Sequence, residues 1–180
     1  GVGVELVKKR WEFAEKWKLD EKFERVKNIN SNFANVKLEK NKFDFFVCID
    51  NTFTYLQPEN NKYPKLMLKQ AYNSLTDNGY LLLDFINFVP FISSKNSEKY
   101  WCQFTDSYLY KYGLYKRKLL TSSKQIHTKK IYIDRKMNES LHEEISYIDT
   151  KDSITQLLKN HSFKIVKLFS DFNYSDFIEK

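Results

Sequence analysis

Three places in this 180-residue chain combine residue types that suit one ligand. Glu5 closes a short apolar segment beginning at Val2. A carboxylate there can accept hydrogen bonds from two vicinal hydroxyls of a ribose. Its plainer reading is a first-turn glutamate favoured by a helix dipole. Asn32 and Phe33 follow a second short segment, Val26 to Ile29. An amide can pair with a purine edge while an aromatic ring packs on its face; the plainer reading is a turn Asn and a core Phe. Asp50-Asn51-Thr52-Phe53-Thr54-Tyr55-Leu56 directly follows the apolar run Phe43 to Ile49, where polar groups line a crevice rather than a core. The plainer reading is a helix N-cap, which is compatible with a ligand role.

These residues are useful together only if the chain places them along one edge of a sheet. Val2 to Val7 reads as a strand running into a helix, whose stripe is Val7, Trp11, Ala14 and Trp17 and which fades around Asp20. Phe43 to Ile49 (FDFFVCI) and Tyr80 to Ile86 (YLLLDFI) are nearly continuous apolar runs, as expected of strands covered on both faces in a parallel sheet. Between them, Pro64 opens a helix with the stripe Leu66, Met67, Ala71 and Leu75. Thr76-Asp77-Asn78-Gly79 ends it, with Gly79 at a place expected to need a positive φ. Strands alternating with helices predict an α/β sheet with crossover helices, and ligands bind such sheets outside the carboxyl ends of the strands. From Tyr100 to Thr150 the pattern changes. Tyr108 to Tyr115, Gln125 to Arg135 and Leu141 to Asp149 alternate apolar and polar residues, as in a half-exposed antiparallel sheet. Asp152 is expected to cap a helix through Leu157 and Leu158, and Phe163 to Phe169 reads as a last strand. No internal repeat is visible.

Composition narrows the function classes. Apolar residues make up 42% and aromatics 17%, enough for a packed core. No apolar run approaches the roughly 20 residues that span a bilayer, so no membrane role is expected. Two cysteines cannot build a disulfide framework, Cys48 reads as a small core residue, and a reducing, cytoplasmic setting follows as the default. His127, His142 and His161 lack metal-ligand spacing, and no metal is expected. The net charge of +7 invites a nucleic-acid reading. The lysines are scattered rather than clustered, so nucleic acid is a lesser reading.

In order and spacing, "GVELVKKRWEFA", "NF", "FDFFVCIDNTFTYL", "LKQAYNSLTDNGYLLLDFIN" and "DSITQLLKNHSFKIVKLFSDFNYSDF" resemble class I S-adenosylmethionine-dependent methyltransferases. Ser162 stands where the related subgroup usually has Gly. The resemblance implies a Rossmann-like, mostly parallel α/β sheet flanked by helices. It implies one domain over residues 1–180, partial at its N-terminus, with residues 100–150 forming an antiparallel substrate lid, as in glycine N-methyltransferase-like small-molecule enzymes. It implies S-adenosylmethionine as cofactor and S-adenosylhomocysteine as product. Glu5 with Leu6 would hold the ribose, Asn32 (in place of the usual Asp) and Phe33 the adenine, and Asp50, Asn51 and Tyr55 the methionine side.

Candidates for substrate contact are Asn87, Trp101, Tyr108, Arg117, Tyr132 and Arg135. Either arginine could pair with a substrate carboxylate, and the plainer reading of each is a solvated strand residue. No residue is singled out as a catalytic base. The favoured acceptor is a small-molecule nitrogen or oxygen nucleophile. A nucleic-acid or protein methyltransferase and a non-catalytic scaffold of the same fold are the alternatives. The family's first strand and glycine-rich loop would precede Glu5, where only Gly1-Val2-Gly3 and Val4 stand. Residues upstream, or another chain, are therefore expected to complete the sheet.

Overall fold

The computed structural model describes residues 1–56, 62–88, 98–104, 110–120, 125–171, 173 and 175–177. Strand β1 (Val2–Glu5) leads into helix α1 (Lys8–Asp20) and returns as β2 (Lys27–Asn30), which pairs parallel to β1 in the register Val2 to Lys27 through Glu5 to Asn30. A 3-10 turn (Phe33–Asn35) follows. Strand β3 (Phe43–Cys48), the short helix α2 (Thr52–Tyr55), helix α3 (Lys62–Ser74) and strand β4 (Leu75–Leu83) form a second parallel unit, with Phe45 opposite Tyr80 and Cys48 opposite Leu83. Four strands then make an antiparallel meander, β5 (Glu98–Phe104), β6 (Tyr110–Leu120), β7 (Gln125–Asp134) and β8 (Glu139–Tyr147), before helix α4 (Lys151–Asn160). Parallel neighbours need a crossover, and α1 and α3 supply one each.

The principal core lies where α2, α3 and α4 cover one face of β3 and β4. Cys48, Phe53, Met67, Leu68 and Ile154 are buried there, with Phe46, Leu81, Leu83, Phe85 and Phe163 against them. Period-two alternation sends Phe46 and Cys48 into this core and Phe45 and Val47 out. The expectation of strands buried on both faces therefore fails. Phe45 is 66% exposed, Val47 52%, Tyr80 54% and Leu82 49%, because no described element covers that face. Phe45 stacks on Tyr80 at 5.9 Å across the uncovered ladder. Helix α1 is also only half covered. Trp11 donates to the Asn28 carbonyl at 3.3 Å, while Trp17 remains exposed beside Phe23.

Four local expectations are corrected. Gly79 does not adopt a positive φ. A Cβ there would lie 2.9 Å from Leu75 Cδ2 and 3.0 Å from the Thr76 carbonyl oxygen, so the irregular start of β4, rather than a turn, needs glycine for close approach. The cap of α4 is Thr150, whose hydroxyl accepts from the Ser153 N–H while the Ser153 hydroxyl accepts from the Thr150 N–H; Asp152 sits in the first turn. Phe163 to Phe169 forms no strand, since its one ladder contact is the bridge from Phe169 to Asp176. Pro64 lies two residues inside the described start of α3, still within the first turn, where its missing N–H costs nothing.

Both α1 and α4 end in the same device. The N–H of Phe163 donates to the Leu158 carbonyl and that of Ser162 to the Lys159 carbonyl, with Ser162 at φ 65°. Phe23, Lys22, Lys18 and Leu19 repeat the arrangement, with Lys22 at φ 57°. This Schellman pattern usually takes glycine at the left-handed position.

Candidate functional site

The carboxyl ends of β1, β2, β3 and β4 carry Glu5, Asn30, Cys48 and Leu83, so the sequence-selected residues do fall where the strands of each parallel pair end. Glu5 Oε1 accepts from the Val7 N–H at 2.7 Å. Its other carboxylate oxygen has no partner among the described residues. Leu6 is 66% exposed beside it. Asn32 caps the 3-10 turn, its Oδ1 accepting from the Ala34 N–H at 2.9 Å. Its acceptor is thus engaged, and the amide N–H₂ is what it has left to offer. Phe33 is half-buried, packs on the principal core and meets Tyr63 edge-on at 6.4 Å, as its plainer reading expected.

After β3 the chain turns sharply. Asp50 and Asn51 are consecutive left-handed residues at φ 58° and 57°. The clamp that holds them is Asp84, just beyond β4, whose Oδ2 accepts from the Asp50 N–H at 2.8 Å and the Asn51 N–H at 3.4 Å. Asn51 occupies the N-cap position of α2, yet its side chain does not cap the helix. Its Oδ1 instead accepts from the Ile86 N–H at 2.9 Å, and its Nδ2 is buried with no hydrogen-bond partner among the described residues. A buried amide donor left unsatisfied costs about 1–3 kcal/mol, which a ligand acceptor would recover. Tyr55 is 38% exposed one turn on. Beneath the turn, burial first and the Asp84 carboxylate second push the Cys48 thiol up to about 11.

Beyond Ile86, the chain leads from this turn to the antiparallel sheet. Phe88 is buried against Leu119, Ile126 and Ile148. The Arg117 guanidinium lies 5.7 Å from the Phe88 ring centre and 4.9 Å from that of Trp101. Trp101 stacks on Tyr115 at 4.9 Å and 6° between planes; Tyr115 meets Tyr132 edge-on at 6.1 Å, and Tyr132 meets His142 at 5.3 Å. Ladder register explains the gathering. Trp101 pairs with Tyr115, Gly113 with Tyr132, and Lys130 with His142, so alternation sends them to one face. A Cβ at Gly113 would lie 2.7 Å from the Tyr115 ring, so glycine lets that ring lie flat across the strand. Burial, then neighbouring Tyr132, raises the Tyr115 phenol above its ordinary value.

Of the sequence-selected substrate residues, Trp101, Arg117 and Tyr132 come together on this face. Arg135 does not. It lies in the exposed turn after β7, past Asp134, and Asp134 is six positions, roughly 20 Å along the strand, from the Thr128 opposite Arg117. Asn87 is exposed and already engaged in an interaction. Tyr108 lies outside the described residues. Asp84, Phe88, Gly113 and Tyr115 were missed. A charge inside an apolar strand was the available signal for Asp84, and period-two spacing from Arg117 was that for Tyr115. Elsewhere, an open groove of about 460 Å³ runs beside α3, lined by Lys62, Lys65, Lys69, Tyr72, His161 and Ser162. It contains none of the strand-end residues. Among the described residues no group of three His, Cys, Asp or Glu could hold a metal ion, and no helix is long and apolar enough to cross a membrane.

Two separate parallel pairs with crossover helices, followed by a four-stranded antiparallel sheet, make an α/β arrangement that solved S-adenosylmethionine-dependent methyltransferases share. The chain is similar to a S-adenosylmethionine-dependent methyltransferase from Clostridium acetobutylicum, with a TM-score of 0.80 and 15% identity over 99% of this chain and 70% of that one. It is similar to the CcbJ methyltransferase from Streptomyces caelestis, with a TM-score of 0.81 and 15% identity over 98% of this chain and 69% of the other. It is also similar to CalS10 from Micromonospora echinaspora, an amino pentose methyltransferase involved in calicheamicin biosynthesis whose structure holds the bound cofactor, with a TM-score of 0.61 and 11% identity over 89% of this chain and 64% of the other. No protein-family model matches the sequence, and no curated protein does.

Proposed function

We propose that the chain is a cytoplasmic S-adenosylmethionine-dependent methyltransferase acting on a nitrogen or oxygen of a small molecule. Residues 1–180 would belong to one domain, with residues 100–150 as the substrate lid. The observation that carries this reading is Asn51. In a fold shared with methyltransferases, its buried Nδ2 lies at the carboxyl end of β3 with nothing to donate to among the described residues. The amino pentose named for one neighbour fits an acceptor of small size.

The residues present suit the cofactor. The unpartnered Glu5 oxygen can accept from a ribose hydroxyl, with Leu6 beside it. Asn32, its Oδ1 committed to the cap, offers its N–H₂ to a ring nitrogen of adenine, and Phe33 gives the base an apolar neighbour. Asp50, Asn51 and Tyr55 would line the methionine side. Bound S-adenosylmethionine supplies an electrophilic methyl group for in-line displacement. The protein's own contribution is to position the acceptor and exclude water, which provides most of the acceleration in such chemistry. The aromatic face of the antiparallel sheet is built for that, with Asn87 at its approach.

Calorimetric titration with S-adenosylhomocysteine tests the reading. Saturable binding is expected, and its absence would overturn the proposal. Glu5→Ala should weaken that binding by about 1–3 kcal/mol through loss of a charge-assisted hydrogen bond. Unchanged affinity would remove Glu5 from the site.

A further inference from the structure

We propose that Arg117 is the docking point for an oxyanion, a carboxylate or a phosphate, carried by the methyl acceptor. The inference rests on the methyltransferase reading for the word acceptor, and on the sheet itself for the anion.

The inward face of β5 to β8 holds two half-buried cations, and they are treated differently. Lys130 is compensated by Glu144 at 2.8 Å. Among the described residues Arg117 has no carboxylate and no hydrogen-bond partner, and its Nε is buried. What touches the guanidinium is aromatic, Phe88 at 5.7 Å and Trp101 at 4.9 Å. On the outward face, cations are matched by acids: Glu98 serves Lys116 and Lys118, and Glu143 serves Lys129, with His127 beside it. A cation taken partly out of water is costly without an anion. Ring faces hold it in place but accept no directed N–H bond. A guanidinium fork matches a planar carboxylate or the oxygens of a phosphate.

Position supports the same assignment. Asn51 Oδ1 accepts from the Ile86 N–H, and two residues on Phe88 packs beside Arg117, so the chain leads directly from the strand-end turn to this cation. An acceptor with its anion on Arg117 would have Trp101 and Tyr115 beside its body. The chemical class is then a small amino or hydroxy compound bearing an acidic group.

The test measures dissociation constants for benzoate, phenyl phosphate and benzyl alcohol by ligand-observed NMR, with S-adenosylhomocysteine present at saturation. At least one of the two anions should bind about tenfold or more tightly than the neutral alcohol, and the better anion distinguishes carboxylate from phosphate. Arg117→Gln should abolish that preference and Arg117→Lys should retain part of it. Calorimetric binding of S-adenosylhomocysteine by each variant, equal to that of the native protein, shows that the fold is intact. If Arg117→Gln unfolds, Arg117→Lys carries the comparison alone, as a reduced preference for the anion. Equal binding of anion and alcohol by the native protein, or a preference that persists in the variants, overturns the inference. Native protein that fails to bind S-adenosylhomocysteine refutes the methyltransferase reading separately.

Discussion

Asp84→Ala isolates the clamp on the Asp50–Asn51 turn. The carboxylate accepts one good bond, 2.8 Å from the Asp50 N–H, and one at 3.4 Å from Asn51 that lies at the edge of useful geometry. A hydrogen bond to a charged group contributes about 1.5–3 kcal/mol. Each left-handed non-glycine residue costs about 1–2 kcal/mol, less for Asp and Asn, and the clamp is what sustains two of them in succession. The expected loss is therefore about 2–3 kcal/mol, most of it from the first bond. Urea unfolding followed by circular dichroism should show the midpoint falling by about 1 M for a slope near 2 kcal/mol per M. Asp50→Gly supplies the control. It removes a left-handed Cβ from an exposed residue, so it should recover about 1 kcal/mol in the Asp84→Ala background. A destabilisation below about 0.5 kcal/mol, within the range of an ordinary surface substitution, would refute the clamp, as would an Asp50→Gly change without benefit.

Other outcomes follow from the same geometry. Cys102 is exposed and Cys48 buried with its thiol raised to about 11, so iodoacetamide at pH 8 should label one cysteine in the native protein and two after unfolding; rapid double labelling would contradict the packing. The same shift makes stability fall as pH rises from the unfolded thiol value of 9.0 toward 11, and Asp84→Asn should bring Cys48 down. Among the described residues, five carboxylates are held below their ordinary values: Glu15 by Lys18, Glu98 by Tyr100, Asp134 by Asn138, Glu143 by Lys129 and Asp171 by the Ser175 N–H. Their contribution is complete above the ordinary carboxylate range and is lost as pH falls through the lowered values. Melting temperature should therefore decline below about pH 4, and a flat profile to pH 3 would contradict it. Leu68→Ala, at a site of 0% exposure, should cost about 2–5 kcal/mol in chemical denaturation. Ser162→Gly and Lys22→Gly should each stabilise by about 1 kcal/mol, and a loss in either would show that its left-handed cap is not formed.

The parallel units were legible because their strands and helices carry strong periodic signals, and strand ends follow directly from strand boundaries. Glu5, Asn32 and Asn51 were placed on that basis. What each side chain does there was not legible. Whether Asn51 caps its own helix or reaches to Ile86 depends on a left-handed backbone that Asp84 imposes from 33 residues away in sequence. Arg117 and Arg135 are equivalent in composition and neighbourhood, and only the ladder register separates a ring-flanked cation from a solvated turn. The face of β3 and β4 that carries Phe45 and Val47 misled for a related reason: apolar residues state a need for cover, and the covering element is a tertiary fact.

Gly113 is the place where one methyl group would matter most. Any side chain there drives the Tyr115 ring off the strand, which unstacks Trp101 and moves the ring that faces Tyr132. The position therefore works as a single-atom dial on the breadth of the aromatic face. Natural drift or a designer could turn it to admit a different acceptor without disturbing the turn that Asp84 holds.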